Sequence, residues 1–254
     1  MPQTDLQPAV SSVRNLRHRY LPKGVAGRMA TAGDAAGAGG KQLAPDEATI
    51  EFGSFTVVAG TVLLVRGASG AGKSTLLHLL AGVLPVSTAD GLVTVAGRAL
   101  AGLPTAERDA LRPFVVGWMP QRLCLIEALT LRENVLLPLA LAGKSGAGAG
   151  QRADRLMDSL AIASLAARRP AAISVGQAAR ASLARALVAQ PKLLLADEPT
   201  AALDEISARL VAREIAGFAM AGGAAVVASH DWQLREMLLQ SLPSASVQVL
   251  ELPR

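Results

Sequence analysis

The sequence predicts an α/β fold, a mostly parallel sheet with helices on both faces and an inserted helical subdomain. Three observations predict it. The runs 193–196 and 224–228 are continuously apolar, without the polar alternation of a strand that has one wet face, so they read as strands buried on both sides. Such runs alternate along the chain with segments of helical periodicity, the order expected of an α/β domain. A glycine-rich turn joins the apolar run 61–66 directly to a helical pattern at 74–80, the strand–loop–helix connection of such folds.

Taken in order, the stretch 24–40 is dominated by glycine and alanine and lacks apolar periodicity, so it reads as a flexible surface insertion. The run 62–65 is a short strand and 74–80 a helix; Leu92–Val95 and 115–119 are further strands. From approximately 123 to 175 the pattern is almost wholly helical, a helical insert within the α/β core. A second glycine/alanine stretch at 143–150 is expected to be flexible and to precede a helix starting near Gln151. Length alone suggests roughly 1.7 domains. The order of segments favours one domain over 1–254 that contains the helical insert.

Composition excludes several classes of function. The chain has 254 residues, 51% of them hydrophobic and 18% charged, enough for a sizeable core and far from a disordered composition. Aromatic residues make up 3%, which argues against a platform that stacks single-stranded bases. The mean hydropathy of +0.35 raises the question of membrane spans. No apolar run approaches the roughly 20 residues a spanning helix needs, and the most apolar stretch contains Pro138. The chain is therefore expected to be soluble or peripheral to a membrane, and no long apolar segment of secretory type opens it. The formal charge is +5, but its one basic cluster, Arg14, Arg17, His18 and Arg19, is small and reads as a solvated face. Cys124 is the single cysteine; it excludes an internal disulfide and is expected to be a small buried hydrophobe.

The strongest chemical signal is Gly67-Ala68-Ser69-Gly70-Ala71-Gly72-Lys73-Ser74-Thr75, which satisfies G-x-x-x-x-G-K-[ST] between a strand and a helix. Glycines let consecutive backbone N–H groups turn toward phosphate oxygens. The helix that follows presents its unpaired N–H groups and positive dipole end to the same anion. Lys73 is placed to reach the β- and γ-phosphates, and the Ser74 hydroxyl to ligate Mg²⁺. The second signal is an apolar strand ending in Asp197-Glu198-Pro199-Thr200. Acids at the C-terminal edge of such a strand suit a Mg²⁺–nucleotide site. Asp197 belongs to the metal shell, and Glu198 is placed to polarise an attacking water.

Further residues discriminate among ATPases. Ile173-Ser174-Val175-Gly176-Gln177 precedes a helical run, Leu203-Asp204 follows the acidic pair, Ser229-His230-Asp231 closes the next strand, and Gln121 follows the strand 115–119. With these in order over roughly 57–230, the chain resembles the ATPase subunits of ATP-binding-cassette (ABC) transporters. The resemblance implies a P-loop NTPase core with an antiparallel β edge, and ATP and Mg²⁺ as ligands. It implies that Gln121 contacts the metal or the water, and that Glu198 is the catalytic base. His230 is then the switch histidine at the γ-phosphate, although a lone histidine after a strand is otherwise more often structural. Ser174, Gly176 and Gln177 would form the signature loop that reaches ATP on an opposite subunit, and Asp204 the adjoining loop. Tyr20, the only tyrosine, resembles the aromatic that stacks on adenine, with Phe52 and Phe55 as competitors nearer the phosphate loop.

One residue departs from the family pattern. Val175 stands where L-S-G-G-Q has its first glycine; a β-branched residue is expected to restrict the loop and slow hydrolysis. Thr130, Glu133, Asn134 and Val135, with Pro138 and Leu139, resemble the lipoprotein-release, macrolide-export and cell-division cassettes. The implied function is an ATP-hydrolysing subunit working as a homodimer or cassette heterodimer on a separate membrane permease, at the cytoplasmic face of the cell membrane. An ATPase driving a membrane partner that moves no solute is the alternative. A nucleic-acid-linked cassette is disfavoured by the small basic cluster, and no nucleic-acid partner is expected.

Overall fold

The structure is a computed structural model that describes residues 9–19, 49–144, 146–201 and 203–253. Tyr20 and the insertion expected at 24–40 lie outside these residues. In chain order the elements are β1 (Ala9–Arg19), β2 (Thr49–Val58), β3 (Val62–Arg66), α1 (Lys73–Leu80), β4 (Leu92–Val95), β5 (Arg98–Ala99), α2 (Thr105–Val115) and β6 (Val116–Met119). They continue with α3 (Leu131–Leu141), α4 (Ala147–Ser159), α5 (Val175–Leu187), β7 (Leu193–Asp197), α6 (Glu205–Met220), β8 (Ala224–Ala228), α7 (Trp232–Leu239) and β9 (Val247–Glu251).

The parallel sheet has the order β6-β7-β8-β3-β9, each neighbouring pair parallel. Every residue of β7 and β8 is buried, and the reason is visible in which core each side chain enters. Leu194, Ala196, Ala225 and Val227 face a core shared with α3 to α7. Leu193, Leu195, Ala224 and Val226 face a second core shared with α1 and the antiparallel strands. Successive side chains of a strand point to opposite faces, so a strand between two cores must be apolar throughout. In β6, a Cβ on Gly117 would sit 2.4 Å from the Ala186 carbonyl oxygen, so α5 approaches the sheet this closely because that position is glycine.

The second sheet is antiparallel, in the order β2-β1-β4-β5, and it closes over α1 through Val13, Phe52 and Val93. In β1 the buried positions run Ser11, Val13 and then Leu16, a slip from period two. The slip falls at Asn15, whose φ of 48° marks an irregularity, and Ser54 bonds both the N–H and the side chain of Asn15.

The helical insert is held by a motif whose chemistry is local. Thr130 caps α3 by accepting from the Glu133 N–H, and the Glu133 carboxylate accepts from the Thr130 N–H in return, a capping box. Asn134, fully buried, accepts from the Ile126 N–H at 2.7 Å and donates to the Ile126, Leu129 and Thr130 carbonyls. Arg132 grips Asp154 of α4 through two nitrogens, at 2.8 and 3.2 Å.

Three expectations are corrected. Helix α4 begins at Ala147, so half of the stretch 143–150 is helical. Burial of Ala149, Ala153 and Met157 on one face overrides the weak helix propensity of its glycines. The strand expected at 115–119 starts one residue later, because Val115 ends α2. Cys124 is exposed. Its backbone has φ 49° and its carbonyl is anchored by Arg185 at 2.7 Å, which fixes the turn and leaves the thiol outside. Among the described residues no helix is long and apolar enough to cross a membrane.

Candidate functional site

The loop between β3 and α1 is shaped by glycines. Gly67, Gly70 and Gly72 have φ of 154°, 84° and 92°, a region that residues with a Cβ rarely enter. At Gly72 a Cβ would also lie 2.9 Å from two carbons of Ile50. Gly72 is the N-cap of α1 and supplies no side-chain acceptor, so the amides of the first turn are left for an external anion. Lys73 lies back across the loop, its Nζ donating to the carbonyls of Gly67 at 2.9 Å and Ala68 at 3.0 Å.

This loop forms one wall of a cavity of about 660 Å³ lined by Ile50, Gly67, Ala68, Ser69, Gly70, Gly72, Lys73, Ser74, Thr75, Gln121, Asp197, Glu198 and His230. Apart from Ile50, near the start of β2, these residues follow or end strands β3, β6, β7 and β8 at their C-terminal ends. That is where open α/β sheets bind ligands. Ala71 is the one residue of the loop outside this lining; it packs against the second core instead. Ile50 carries no signal in the sequence, since nothing marks an aliphatic strand residue as part of a site. Phe52 is buried in the second core, which removes it as a base-stacking candidate.

The two neighbouring carboxyls differ in surroundings. Asp197, the last residue of β7, is 4% exposed. Burial pushes its carboxyl above the usual range and the Glu198 charge adds to this, while a hydrogen bond with Ser74 acts in the opposite direction. Glu198 follows in the left-handed region at φ 50°, a conformation that costs a non-glycine residue about 1 kcal/mol or more. Its N–H is tied to the Ala228 carbonyl at 2.8 Å. Its Oε1 lies 2.8 Å from His230 Nδ1, and its Oε2 accepts from the Ser229 hydroxyl at 3.3 Å. The Ser229 hydroxyl accepts in turn from the Asp231 N–H at 3.1 Å. Ser229 is thus a further site residue, legible only as the neighbour of His230.

The remaining candidates lie outside the cavity. Ser174 caps α5 by accepting from the Gln177 N–H at 3.2 Å, and Gln177 Oε1 accepts from the Ser174 N–H at 2.9 Å. The segment read as preceding a helix is therefore the helix's own cap and first turn. Asp204 caps α6, accepting from the Ser207 N–H and hydroxyl, and these bonds hold its carboxyl below the usual range. The two helix starts are neighbours, since a Cβ on Gly176 would lie 3.4 Å from Ser207 Oγ. They present Val175, 63% exposed, and Ile206, 75% exposed. Val175 is the first residue of α5 and has helical backbone, so the loop needs no glycine freedom there. What Val175 adds is side-chain bulk on an exposed face.

A family model described as ABC transporter matches residues 51–201, more than half of the chain. The lipoprotein-releasing system ATP-binding protein LolD of Xanthomonas euvesicatoria pv. vesicatoria (strain 85-10) is 41% identical over 158 residues, 62% of this chain and 64% of LolD. The macrolide export ATP-binding/permease protein MacB of Burkholderia pseudomallei (strain K96243) is 37% identical over 189 residues, 74% of this chain and 29% of MacB. In both cases the match spans less than two thirds of the relative's length. A dimeric bacterial ABC transporter cassette superposes with a TM-score of 0.72, and a post-hydrolysis state of the same cassette, bound to ADP and Pi, with 0.71. Both are 24% identical and cover 96% of this chain and 97% of that one, a likeness of fold. The family model covers the phosphate loop, the helical insert and the acidic strand end, and the chain belongs to the ABC transporter family.

Proposed function

We propose that this chain is the ATP-binding and ATP-hydrolysing subunit of an ABC transporter, powering a separate membrane permease from the cytoplasmic face of the membrane. The observation that carries the reading is the contact of Glu198 with His230 at 2.8 Å, in the same cavity as the phosphate loop and Asp197. In this reading the loop amides from Gly67 to Thr75 and the Lys73 ammonium hold the ATP phosphates. Ser74, Asp197 and Gln121 supply oxygen donors suited to Mg²⁺, which neutralises phosphate charge when bound. Glu198 takes a proton from the water as its oxygen bonds to the γ-phosphorus, and passes that proton on to phosphate or solvent. The bond to the bridging oxygen breaks, and ADP and inorganic phosphate are released. His230 and Ser229 hold the two oxygens of Glu198 in place. Ser174, Gly176 and Gln177 lie on an exposed helix start away from the cavity, which supports a role toward the ATP of a second cassette arranged head to tail.

Turnover of ATP by the purified chain tests this reading. Glu198→Gln is expected to lower kcat by about 10²–10⁴, the scale of general-base catalysis, while ATP binding is retained. Lys73→Ala is expected to lose ATP binding as well. Wild-type turnover in Glu198→Gln would overturn the assignment. Affinity-tagged chain is expected to co-purify from detergent-solubilised membranes with a multi-span protein that stimulates its ATPase, and recovery without one would overturn the partnership.

A further inference from the structure

The guanidinium of Arg66 stacks on Trp232, its Cζ 3.4 Å from the ring centroid. Arg66 is the last residue of β3, immediately before Gly67 of the phosphate loop. Trp232 is the first residue of α7, two positions after His230. The stack therefore joins the strand that carries the phosphate loop to the turn that carries the histidine. Within the turn the Ser229 hydroxyl and the His230 N–H both donate to Glu198 Oε2, at 3.3 and 3.4 Å, and the Asp231 N–H donates to the Ser229 hydroxyl, so the bonds to Glu198 tie the turn to β7. The Ser229 N–H reaches the Val65 carbonyl at 3.1 Å, and Asp231 caps α7 through the Gln233 N–H, but the His230 side chain is 71% exposed and contacts Glu198 alone among the bonds described above.

The backbone of Arg66 pairs β3 with β9, but that pairing does not call for an arginine side chain or for a tryptophan opposite it. Trp232 is 54% exposed, so it is not a core residue. Arg66 is mostly buried; its Nη1 donates to Glu251 at 3.0 Å while its Nε has no hydrogen-bond partner, and the Trp232 face covers the guanidinium plane. Its ion pair with Glu251 reaches an acid that is 61% exposed and is expected to contribute little.

We propose that Arg66 and Trp232 are positioning residues for hydrolysis: their stack fixes the 229–231 turn against the phosphate-loop strand and so keeps His230 in register with Glu198. Neither lines the cavity of the phosphate loop. Misplacement of about 1 Å at a reacting group is enough to slow chemistry strongly, whereas ATP binding through the loop amides and Lys73 does not depend on the turn. The inference rests on the ATPase reading above.

The experiment is a double-mutant cycle on ATP turnover by the full chain, with Glu198→Gln as the reference that turnover belongs to this site. Trp232→Leu and Arg66→Met are each expected to lower kcat roughly five-fold, the scale of one stacked pair, with KM for ATP within roughly two-fold. The double variant is expected to be no slower than the slower single variant. Trp232→Phe keeps a ring and is expected to restore most of the rate. Glu251→Gln removes the ion pair alone and is expected to leave it unchanged. The proposal is overturned if Trp232→Leu keeps wild-type kcat, if the two losses multiply, or if Trp232→Phe is as slow as Trp232→Leu. Replacing a half-exposed side chain leaves Trp232→Leu folded, so the comparison with Trp232→Phe decides even if Arg66→Met is unstable. Turnover that does not depend on Glu198 would defeat the ATPase reading instead of the stack.

Discussion

Asp197 and Glu198 are adjacent carboxyls set apart by burial and backbone. Asp197 ends a buried strand and its ionised form is disfavoured chiefly by burial. A carboxyl whose folded pKa lies above its unfolded value favours folding at pH below the unfolded pKa, and that contribution is lost as pH rises through the folded pKa. Asp197→Asn is therefore expected to melt higher than the wild type near neutral pH without metal or nucleotide. About 2–4 °C is the shift that 1 kcal/mol produces in a chain of this size, and the difference should shrink as pH falls through the folded pKa. Scanning calorimetry with Mg²⁺ and ATP should reverse the order, since the stabilisation by ligand requires the carboxylate. Val175 poses a separate residue-scale question. It sits on helical backbone, so replacing it with glycine frees no strained turn and removes bulk from the face proposed to meet a second cassette. Val175→Gly is expected to raise turnover of the assembled complex by at least about two-fold, a change of roughly 0.4 kcal/mol in the barrier. Unchanged or lower turnover in a steady-state assay would contradict this.

At the scale of elements, the segment after Gln121 is organised by Asn134. Its four bonds join the turn at Ile126 to the start of α3, and the capping box of Thr130 and Glu133 closes the same turn. Asn134→Ala removes the partner of the Ile126 N–H and of the Leu129 carbonyl, while the Ile126 carbonyl keeps the Leu129 N–H at 3.1 Å. It is expected to destabilise the chain by at least about 2 kcal/mol in urea unfolding, and loss of under about 0.5 kcal/mol would argue that the bonds are readily replaced by water. The motif was visible in sequence as T-x-x-E-N-V, yet its mechanism was not, because a hub asparagine is recognised only by the turn it fastens. The same contrast runs through the strands. Strands β3, β4, β7 and β8 were legible because burial on both faces, or strict alternation, left a clear signal. Strand β1 was not, because the irregularity at Asn15 shifts its buried positions from period two. Strand β9 was not, because it is an edge strand with only Val247 fully buried. Helix α2 hides behind Pro113 near its end.

On the scale of the whole molecule, the residues read from motifs separate into two places. The phosphate loop, Gln121, Asp197, Glu198 and His230 converge on one cavity. Ser174, Gly176, Gln177 and Asp204 lie at the starts of two neighbouring helices elsewhere. The family resemblance implies this split; spacing along the chain alone does not show it, because α5 and α6 meet only by packing side by side on one face of the sheet. In the function proposed for this chain, a second cassette supplies the missing half of a site divided in this way. Sedimentation of the Glu198→Gln variant tests it most directly. With ATP and Mg²⁺ the variant should sediment at twice the mass of the chain and return to monomer when nucleotide is removed. A monomer at saturating ATP would contradict the shared site.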